Sequence, residues 1–162
     1  MDKVTELDGI DRRILEQLDI DARMPVAMIA QKLGLARGTV QARLDKMQER
    51  DALRPHSARV KPAALGRPVA AMVQVQLDQH LIAEAVRALA GIPEVLECFA
   101  PAGDTDLLLR VVARDPDDLY RVSEEIRLCP GINRTSTSLY LRQVIPYRVT
   151  GLLREGAGVR QN

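Results

Sequence analysis

The sequence predicts an α+β protein in which a short helical segment precedes a longer segment of strands and helices. Apolar residues recur at helical spacing through the first 50 residues. From residue 69 onward, stretches with a period of two are interleaved with helical stretches in the order βαββαβ. A chain of 162 residues is long enough for two small units, each with its own hydrophobic core.

Composition narrows the class of protein. Hydrophobic residues make up 46% of the chain and charged residues 28%, which is typical of globular proteins. The N-terminal stretch is charged and lacks the apolar region of a signal peptide, and no apolar run approaches the roughly 18 residues of a membrane helix. The two cysteines and two histidines lack metal-ligand spacing. We therefore expect a cytoplasmic protein with no metal site and no cofactor.

The net charge of +1 conceals an uneven distribution along the chain. Residues 1–21 carry a net charge of −4, residues 22–61 a net charge of +6, and residues 62–162 a net charge of −1. A local concentration of basic residues is typical of a surface that meets a polyanion. The segment 22–61 is therefore the place to look for a nucleic-acid contact.

Two helices are predicted first. In "LDGIDRRILEQLDID" the apolar residues have helical spacing, Asp8 is a suitable N-cap, and Asp11 lies in the first turn where it favours the helix dipole. The second helix begins at Pro25, a residue favoured at the first helical position. It ends at Gly34, a residue favoured where a helix closes in the left-handed conformation.

A third helix is predicted over about residues 36–50. Val40, Leu44 and Met47 form one narrow apolar stripe that must face the core. The opposite face carries small residues, and polar or basic side chains lie on its flanks or reach outward from the buried edge. The exposed candidates for DNA contact are Arg37, Gly38, Thr39, Gln41, Arg43 and Lys46.

Two helices joined by three or four residues are typical of a helix-turn-helix, in which the second helix enters the DNA major groove. Small residues allow the backbone to approach base edges, Arg and Lys contact phosphate or guanine, and Gln41 suits adenine. The alternative is an ordinary helical hairpin with a solvated polar face. The following stretch, "RPHSARVK" at 54–61, is either the hairpin of a winged helix-turn-helix or a charged linker.

The βαββαβ order in the remaining chain is that of the ferredoxin-like split βαβ unit, an antiparallel sheet with two helices on one face. Its last strand is predicted over "NRTSTSLYLRQVI" (133–145). We expect the other face to be a bare surface of Val, Leu and Ile that is buried by dimerisation. An RNA-binding sheet is disfavoured because the chain holds only one Phe and three Tyr.

The whole arrangement resembles the Lrp/AsnC (feast–famine) transcriptional regulators. The residues that carry the resemblance are "LDGIDRRIL", "DARMPVAMIAQKLGLARGTVQARLDKM", "KPAALG", "GDTDLLLRV" and "GINRTSTSLYL". The resemblance implies a winged helix-turn-helix at 1–61, a hinge at about 61–68, a RAM-type ferredoxin-like domain at 69–147, and a C-terminal tail at 148–162. It also implies double-stranded DNA as partner and a homodimer that assembles to a tetramer or octamer.

The resemblance further implies that the second domain senses a small molecule, commonly an amino acid. Matching the family's sensing loop and last strand gives the effector candidates Gly103, Asp104, Asp106, Thr135 and Thr137. The alternative is that Gly103 and Asp104 form a plain hairpin turn and the threonines are simply strand formers.

We expect a regulator rather than an enzyme. The alternative is a related enzyme that decarboxylates haem precursors, which would need catalytic His or Arg in the second domain. His80 is that domain's only histidine, and the basic flanks of the third helix favour the regulator.

Overall fold

The computed structural model describes residues 6–155, which divide into two compact units. The helical unit contains the described residues up to Ala58 and those from Ile145 onward, and the sheet unit spans Arg59–Val144. Within residues 6–155, no helix is both long and apolar enough to cross a membrane. The helices are α1 (Gly9–Ile20), α2 (Val26–Leu33), α3 (Arg37–Glu49), α4 (Ile82–Ala90), α5 (Pro116–Arg127) and α6 (Thr150–Glu155), and the strands are β1 (Val69–Leu77), β2 (Val95–Phe99), β3 (Leu107–Ala113) and β4 (Ile132–Leu139).

The helical unit begins with the predicted cap. Asp8 accepts hydrogen bonds from the backbone N–H groups of Ile10 and Asp11, and Asp11 accepts one in return from the backbone of Asp8. This reciprocal capping box satisfies donors that the first turn of α1 would otherwise leave open. Pro25 is the N-cap of α2, so the helix begins at Val26, one residue later than predicted. The buried core of the unit consists of Ile14, Met24, Ile29, Ala30, Val40 and Met47.

The segment after α3 does not form the hairpin of a wing. His56–Arg59 is a short 3-10 helix, and a second one follows at Pro62–Leu65. The backbone N–H of Ala58 donates to the carbonyl of Pro55 at 2.9 Å, which closes a turn in place of a strand pair. Prolines at both ends of the segment lack the N–H that a strand ladder requires. Of the two alternatives for residues 54–61, the wing is therefore wrong.

The sheet unit has the predicted βαββαβ order. Its four strands are all antiparallel and lie in the order β2-β3-β1-β4. Val73 of β1 lies opposite Leu109 of β3 on one side and Thr137 of β4 on the other. The face that bears Val73 is buried under residues of α4 and α5, including Leu89 and Val122, and this layer forms the core of the unit.

The opposite face of the sheet is more polar than the sequence analysis expected. Since side chains alternate along a strand, the apolar set of β1 lies on the face that the helices cover. Gln74 and Gln76 of β1 are exposed on the other face, where Arg110 of β3 pairs with Glu97 of β2 at 3.2 Å. Apolar side chains such as Phe99, which is 53% exposed, are interspersed among these polar groups. The expectation of a bare Val, Leu and Ile surface is therefore wrong.

The C-terminal part of the chain also differs from the prediction. The last strand ends at Leu139, because its partner β1 begins at Val69 and is preceded by a proline. The segment 148–162, expected to be a tail, contains α6, which packs on α1 in the helical unit. Arg12 of α1 donates a hydrogen bond to the carbonyl of Leu152 at 2.9 Å. Residues 156–162 lie outside the described part of the chain.

Candidate DNA-binding site

The core of the helical unit fixes the orientation of α3. Val40 and Met47 are buried against α1 and α2, and Leu44 between them is half-buried, as the apolar stripe predicts. Since all three lie on one side of the helix, the opposite side of α3 faces outward. The packing of α3 thus decides which of its residues can meet a ligand.

A tight turn separates α2 from α3. Gly34 closes α2 in the left-handed conformation with φ of 66°, which a glycine adopts without steric cost. The backbone N–H of Leu35 donates to the carbonyl of Ala30 at 2.9 Å. The chain then enters α3 at Arg37, so three residues connect the two helices. This geometry confirms the predicted helix-turn-helix.

The first half of α3 presents small and basic residues to solvent. Arg37, Gly38 and Thr39 are exposed, as are Gln41, Ala42 and Lys46 further along. A side chain built on Gly38 would meet no atom within 4 Å, so the surface at this point is open. Ala36, the N-cap, makes no side-chain hydrogen bond, as its methyl side chain requires. A flat surface of this kind lets another molecule approach the helix backbone.

The second half of α3 carries acidic residues that the sequence analysis overlooked. Asp45 and Glu49 are both exposed on the outward side of the helix. Asp45 accepts a hydrogen bond from the Nε2 of Gln41 at 2.8 Å, so this carboxylate orients one of the predicted contact residues. A count of charges along the helical face would have found both acids. Their position indicates that the first half of α3 is the better contact for an anionic partner.

A concavity of about 550 Å³ lies beside α3. Gly38, Thr39, Ala42 and Lys46 line one side of it, and Asp8 and Asp11 at the start of α1 line the other. Four predicted contact residues (Gly38, Thr39, Arg43 and Lys46) and three carboxylates (Glu6, Asp8 and Asp11) therefore share the walls of one open depression.

Arg43 is held away from the outward face by those two carboxylates. Its Nη1 atom lies 2.6 Å from Oδ2 of Asp8 and 2.7 Å from Oδ1 of Asp11. These hydrogen bonds, the one to Asp8 first, raise the pKa of Arg43 above its ordinary value. Partial burial pushes the pKa of Asp8 upward, but hydrogen bonds from Arg43 and from the backbone outweigh it, and the pKa of Asp8 is lowered. Arg43 is thus half-buried and paired with carboxylates of α1, whereas Gln41 is exposed and bonds to Asp45 of its own helix.

The predicted effector residues lie in the sheet unit. Gly103 has φ of 123° in the loop before β3, and Asp104 follows it in an exposed position. The carboxylate of Asp106 is engaged within the chain: Oδ2 accepts from the backbone N–H of Leu77 at 2.8 Å, and Oδ1 accepts from Nε2 of Gln79 at 2.5 Å. Of the two aspartates, Asp104 is therefore the more accessible to a ligand.

Thr135 and Thr137 do not join that loop. They lie opposite Val75 and Val73 on the helix-covered face of β4, and the Thr137 hydroxyl lies 3.2 Å from Oγ of Ser123 on α5. Asp106 lies on the other side of β1, since its backbone N–H donates to the carbonyl of Val75. Two strand spacings amount to about 10 Å. Within one chain, the structure therefore does not bring the loop residues and the threonines together.

Comparison with known proteins places both units in one family. The family model for the AsnC-type helix-turn-helix domain matches residues 7–48, and that for the Lrp/AsnC ligand binding domain matches residues 70–150. The HTH-type transcriptional regulator AldR of Mycolicibacterium smegmatis is 35% identical over 141 residues, covering 85% of this chain and 82% of that protein. The proline dehydrogenase transcriptional activator of Rhodobacter capsulatus is 33% identical over 143 residues, covering 86% of this chain and 93% of that protein.

A solved structure supports the same assignment. That of Escherichia coli AsnC aligns with a TM-score of 0.81 at 26% identity, covering 90% of this chain and 99% of that one. The two family models together match more than half of the sequence, one in its N-terminal part and one in its C-terminal part. The chain therefore belongs to the Lrp/AsnC family of DNA-binding transcriptional regulators.

Proposed function

We propose that this regulator binds a pseudo-palindromic operator as a dimer, with the first half of α3 from each protomer in the major groove. The observation that carries the proposal is the exposed surface formed by Arg37 and the small or polar residues Gly38, Thr39, Gln41 and Ala42, held outward by the buried side of α3. In helix-turn-helix proteins the N-terminal residues of the second helix contact the base edges. Arg37 and Gln41 are the side chains suited to read bases, and Lys46 suits a phosphate.

The charge distribution supports docking by the first half of the helix. Residues 22–61 carry a net charge of +6, whereas Asp45 and Glu49 place negative charge on the second half of α3. A helix lying flat along the groove would bring these carboxylates toward phosphates, which like-charge repulsion opposes. An approach led by Arg37 and Gly38 avoids that repulsion.

The proposed dimer forms through the sheet unit. Apolar side chains remain exposed there, among them Phe99, Leu139 and Leu141, the last of which is 92% exposed. A second copy that buried these residues would remove apolar area from water and place two α3 helices on one DNA duplex. Further assembly to a tetramer or octamer is part of the proposal, in keeping with the family resemblance.

The proposed effector is an amino acid or a related small metabolite that contacts the loop from Gly103 to Asp106. The positive φ of Gly103 gives close access to the backbone, and the exposed Asp104 offers an acceptor for an ammonium group. Asp106 supports the loop through Leu77 and Gln79. In this proposal Thr135 and Thr137 contribute from β4 of a neighbouring protomer, because within one chain they lie across β1 from the loop.

Electrophoretic mobility shifts on genomic fragments test the DNA proposal. We expect one or a few fragments to be retained at physiological salt, with half-sites about one helical turn apart or a multiple of it. Gln41→Ala should relax the preference at one base position, whereas Gln31→Ala on α2 serves as the matched control and should leave the preference unchanged. Equal affinity for every fragment would contradict sequence-specific regulation.

A further inference from the structure

We propose that Arg43 is a positioning residue rather than a DNA contact: it ties α3 to the start of α1 and offsets one of the two negative charges that Asp8 and Asp11 place beside the DNA-facing surface. This inference rests on the proposed function, since it assumes that α3 meets DNA. It departs from the sequence analysis, which grouped Arg43 with the side chains that touch the duplex.

The first support is that each of the two carboxylates uses one oxygen to accept from the backbone and the other to accept from Arg43. Oδ1 of Asp8 accepts from the backbone N–H groups of Ile10 and Asp11 at 2.8 and 3.0 Å, which leaves Oδ2 to Arg43. Oδ2 of Asp11 accepts from the backbone of Asp8 at 3.2 Å, which leaves Oδ1 to Arg43. Both acceptors are thus fixed by the backbone of α1, so the position of the Arg43 side chain follows from the start of that helix.

The second support is the partial burial of two members of the cluster. The side chains of Arg43 and Asp11 are 26% and 16% exposed, whereas that of Asp8 is 55% exposed. A phosphate contact made through Nη1 would cost Arg43 two charge-assisted hydrogen bonds of 2.6 and 2.7 Å. Lys46 shares the same concavity and is exposed, so it is available to a phosphate without such a loss.

The third support is the place of the carboxylates in the concavity. Asp8 and Asp11 line the depression that Gly38, Thr39 and Lys46 line from the other side. A depression of 550 Å³ is roughly 8 Å across, which is about one Debye length at physiological salt. Without Arg43, two negative charges would therefore act on any DNA phosphate that approaches α3. Arg43 offsets one of these two charges, in a depression that Glu6 and Arg50 also line.

The test is a rescue experiment on operator affinity in the full-length chain. Arg43→Ala should weaken operator binding about tenfold, as expected for the loss of one strong polar interaction. Combining it with Asp8→Asn and Asp11→Asn removes the uncovered charges, while the Asn side chains still accept the capping hydrogen bonds of α1. We expect this triple variant to recover the part of the affinity that the uncovered charges cost, with a salt dependence close to that of the unaltered protein, while the part due to the missing tie between α3 and α1 stays lost.

The matched control combines Arg43→Ala with Asp19→Asn and Asp21→Asn, which remove two exposed acidic charges from the same unit. We expect no recovery from this variant, since those carboxylates lie outside the concavity. Arg43→Gln, whose amide can still donate to Asp8 or Asp11, replaces Arg43→Ala throughout if the alanine variant does not fold. Circular dichroism and thermal unfolding show whether the Arg43→Ala variant is folded.

Two outcomes overturn the inference in distinguishable ways. If Arg43 contacts a phosphate, the triple variant stays weak and the slope of log affinity against log salt is reduced by about 0.9. That reduction is the one we expect from Lys46→Ala. If Arg37→Ala and Lys46→Ala both leave operator binding unchanged, α3 does not meet DNA, and the proposed function fails together with the inference.

Discussion

Arg121 of α5 lies 2.9 Å from Glu94 through its Nη2 atom and 2.9 Å from Asp118 through its Nε atom. Both carboxylates are buried, with 7% and 4% of their residue surfaces exposed. Asp118 also accepts from the backbone N–H and the guanidinium of Arg114. A single arginine thus joins the start of α5 to the turn before β2, in a cluster whose buried charges are compensated.

This cluster predicts an acid-sensitive sheet unit. Hydrogen bonds from the Arg114 side chain and backbone, followed by that from Arg121, hold the pKa of Asp118 far below its ordinary value of 3.8. Because the folded-state pKa is the lower one, Asp118 contributes stability above pH of about 4, and that contribution is lost as the pH falls further. Denaturant unfolding from pH 7 down to about 2 should show this loss. Asp118→Asn should make the free energy of unfolding less dependent on pH. Asp117→Asn changes an exposed neighbour and should leave that pH dependence as in the unaltered protein.

The contact between α6 and α1 predicts that the C-terminal segment stabilises the helical unit. Arg12 Nη1 donates to the carbonyl of Leu152, and its side chain is only 20% exposed. Arg12→Ala should lower the free energy of unfolding by about 1 kcal/mol, as for a typical hydrogen bond. Arg13→Ala, an exposed neighbour on the same helix, is the control. A chain that ends at residue 144 should lose more stability than Arg12→Ala, and equal thermal unfolding of all these variants would show that α6 contributes nothing.

Gly38 predicts a conflict between stability and DNA binding. Glycine within a helix is less stable than alanine, and an added side chain at this position would meet no atom within 4 Å. Gly38→Ala should therefore raise the free energy of unfolding by about 0.5 kcal/mol. Gly38→Leu should also fold, but its side chain would hold the backbone away from the groove and weaken operator binding in mobility shifts. Normal operator affinity in Gly38→Leu would mean that this part of α3 stays clear of the bases.

The proposed effector site predicts different effects for two neighbouring aspartates. Thermal-shift screening of the twenty amino acids should raise the unfolding temperature with at least one of them, since a ligand that binds only the folded state stabilises it. Asp104→Ala should abolish that shift and leave the unliganded protein as stable as before. Asp106→Ala should lower the unliganded stability, because the backbone N–H of Leu77 then loses its acceptor. A ligand shift that survives Asp104→Ala would place the ammonium contact elsewhere.

Local features of the fold could be predicted from the sequence. The cap at Asp8 and the stripe of Val40 and Met47 depend on residues within a few positions of each other, and the structure confirms both. The order βαββαβ along the chain of the sheet unit could be predicted for the same reason, since the apolar period distinguishes each strand from each helix. The wing, which the family resemblance implied, does not form at residues 54–61, because prolines at the two ends of the segment remove donors that a strand pair needs.

Features that join distant residues could not be predicted in this way. Arg43 donates a hydrogen bond to Asp8, 35 residues away in the sequence, and Arg12 donates one to Leu152, 140 residues away. Neither partner can be found from spacing or propensity, because tertiary packing alone brings the helices together. The polar face of the sheet was missed for a related reason: the apolar period of β1 does not say which of its two faces the helices cover.

The return of the chain to the helical unit at Ile145 has a consequence for protein engineering. In topological terms the sheet unit is an insertion, flanked on both sides by sequence that belongs to the helical unit. A chimaera made by fusing residues 1–61 to a foreign sensor at a single junction would leave α1 without its C-terminal partner. An exchange of the sheet unit therefore requires two junctions, one near Arg59 and one near Val144, so that α6 stays with the other helices of the helical unit.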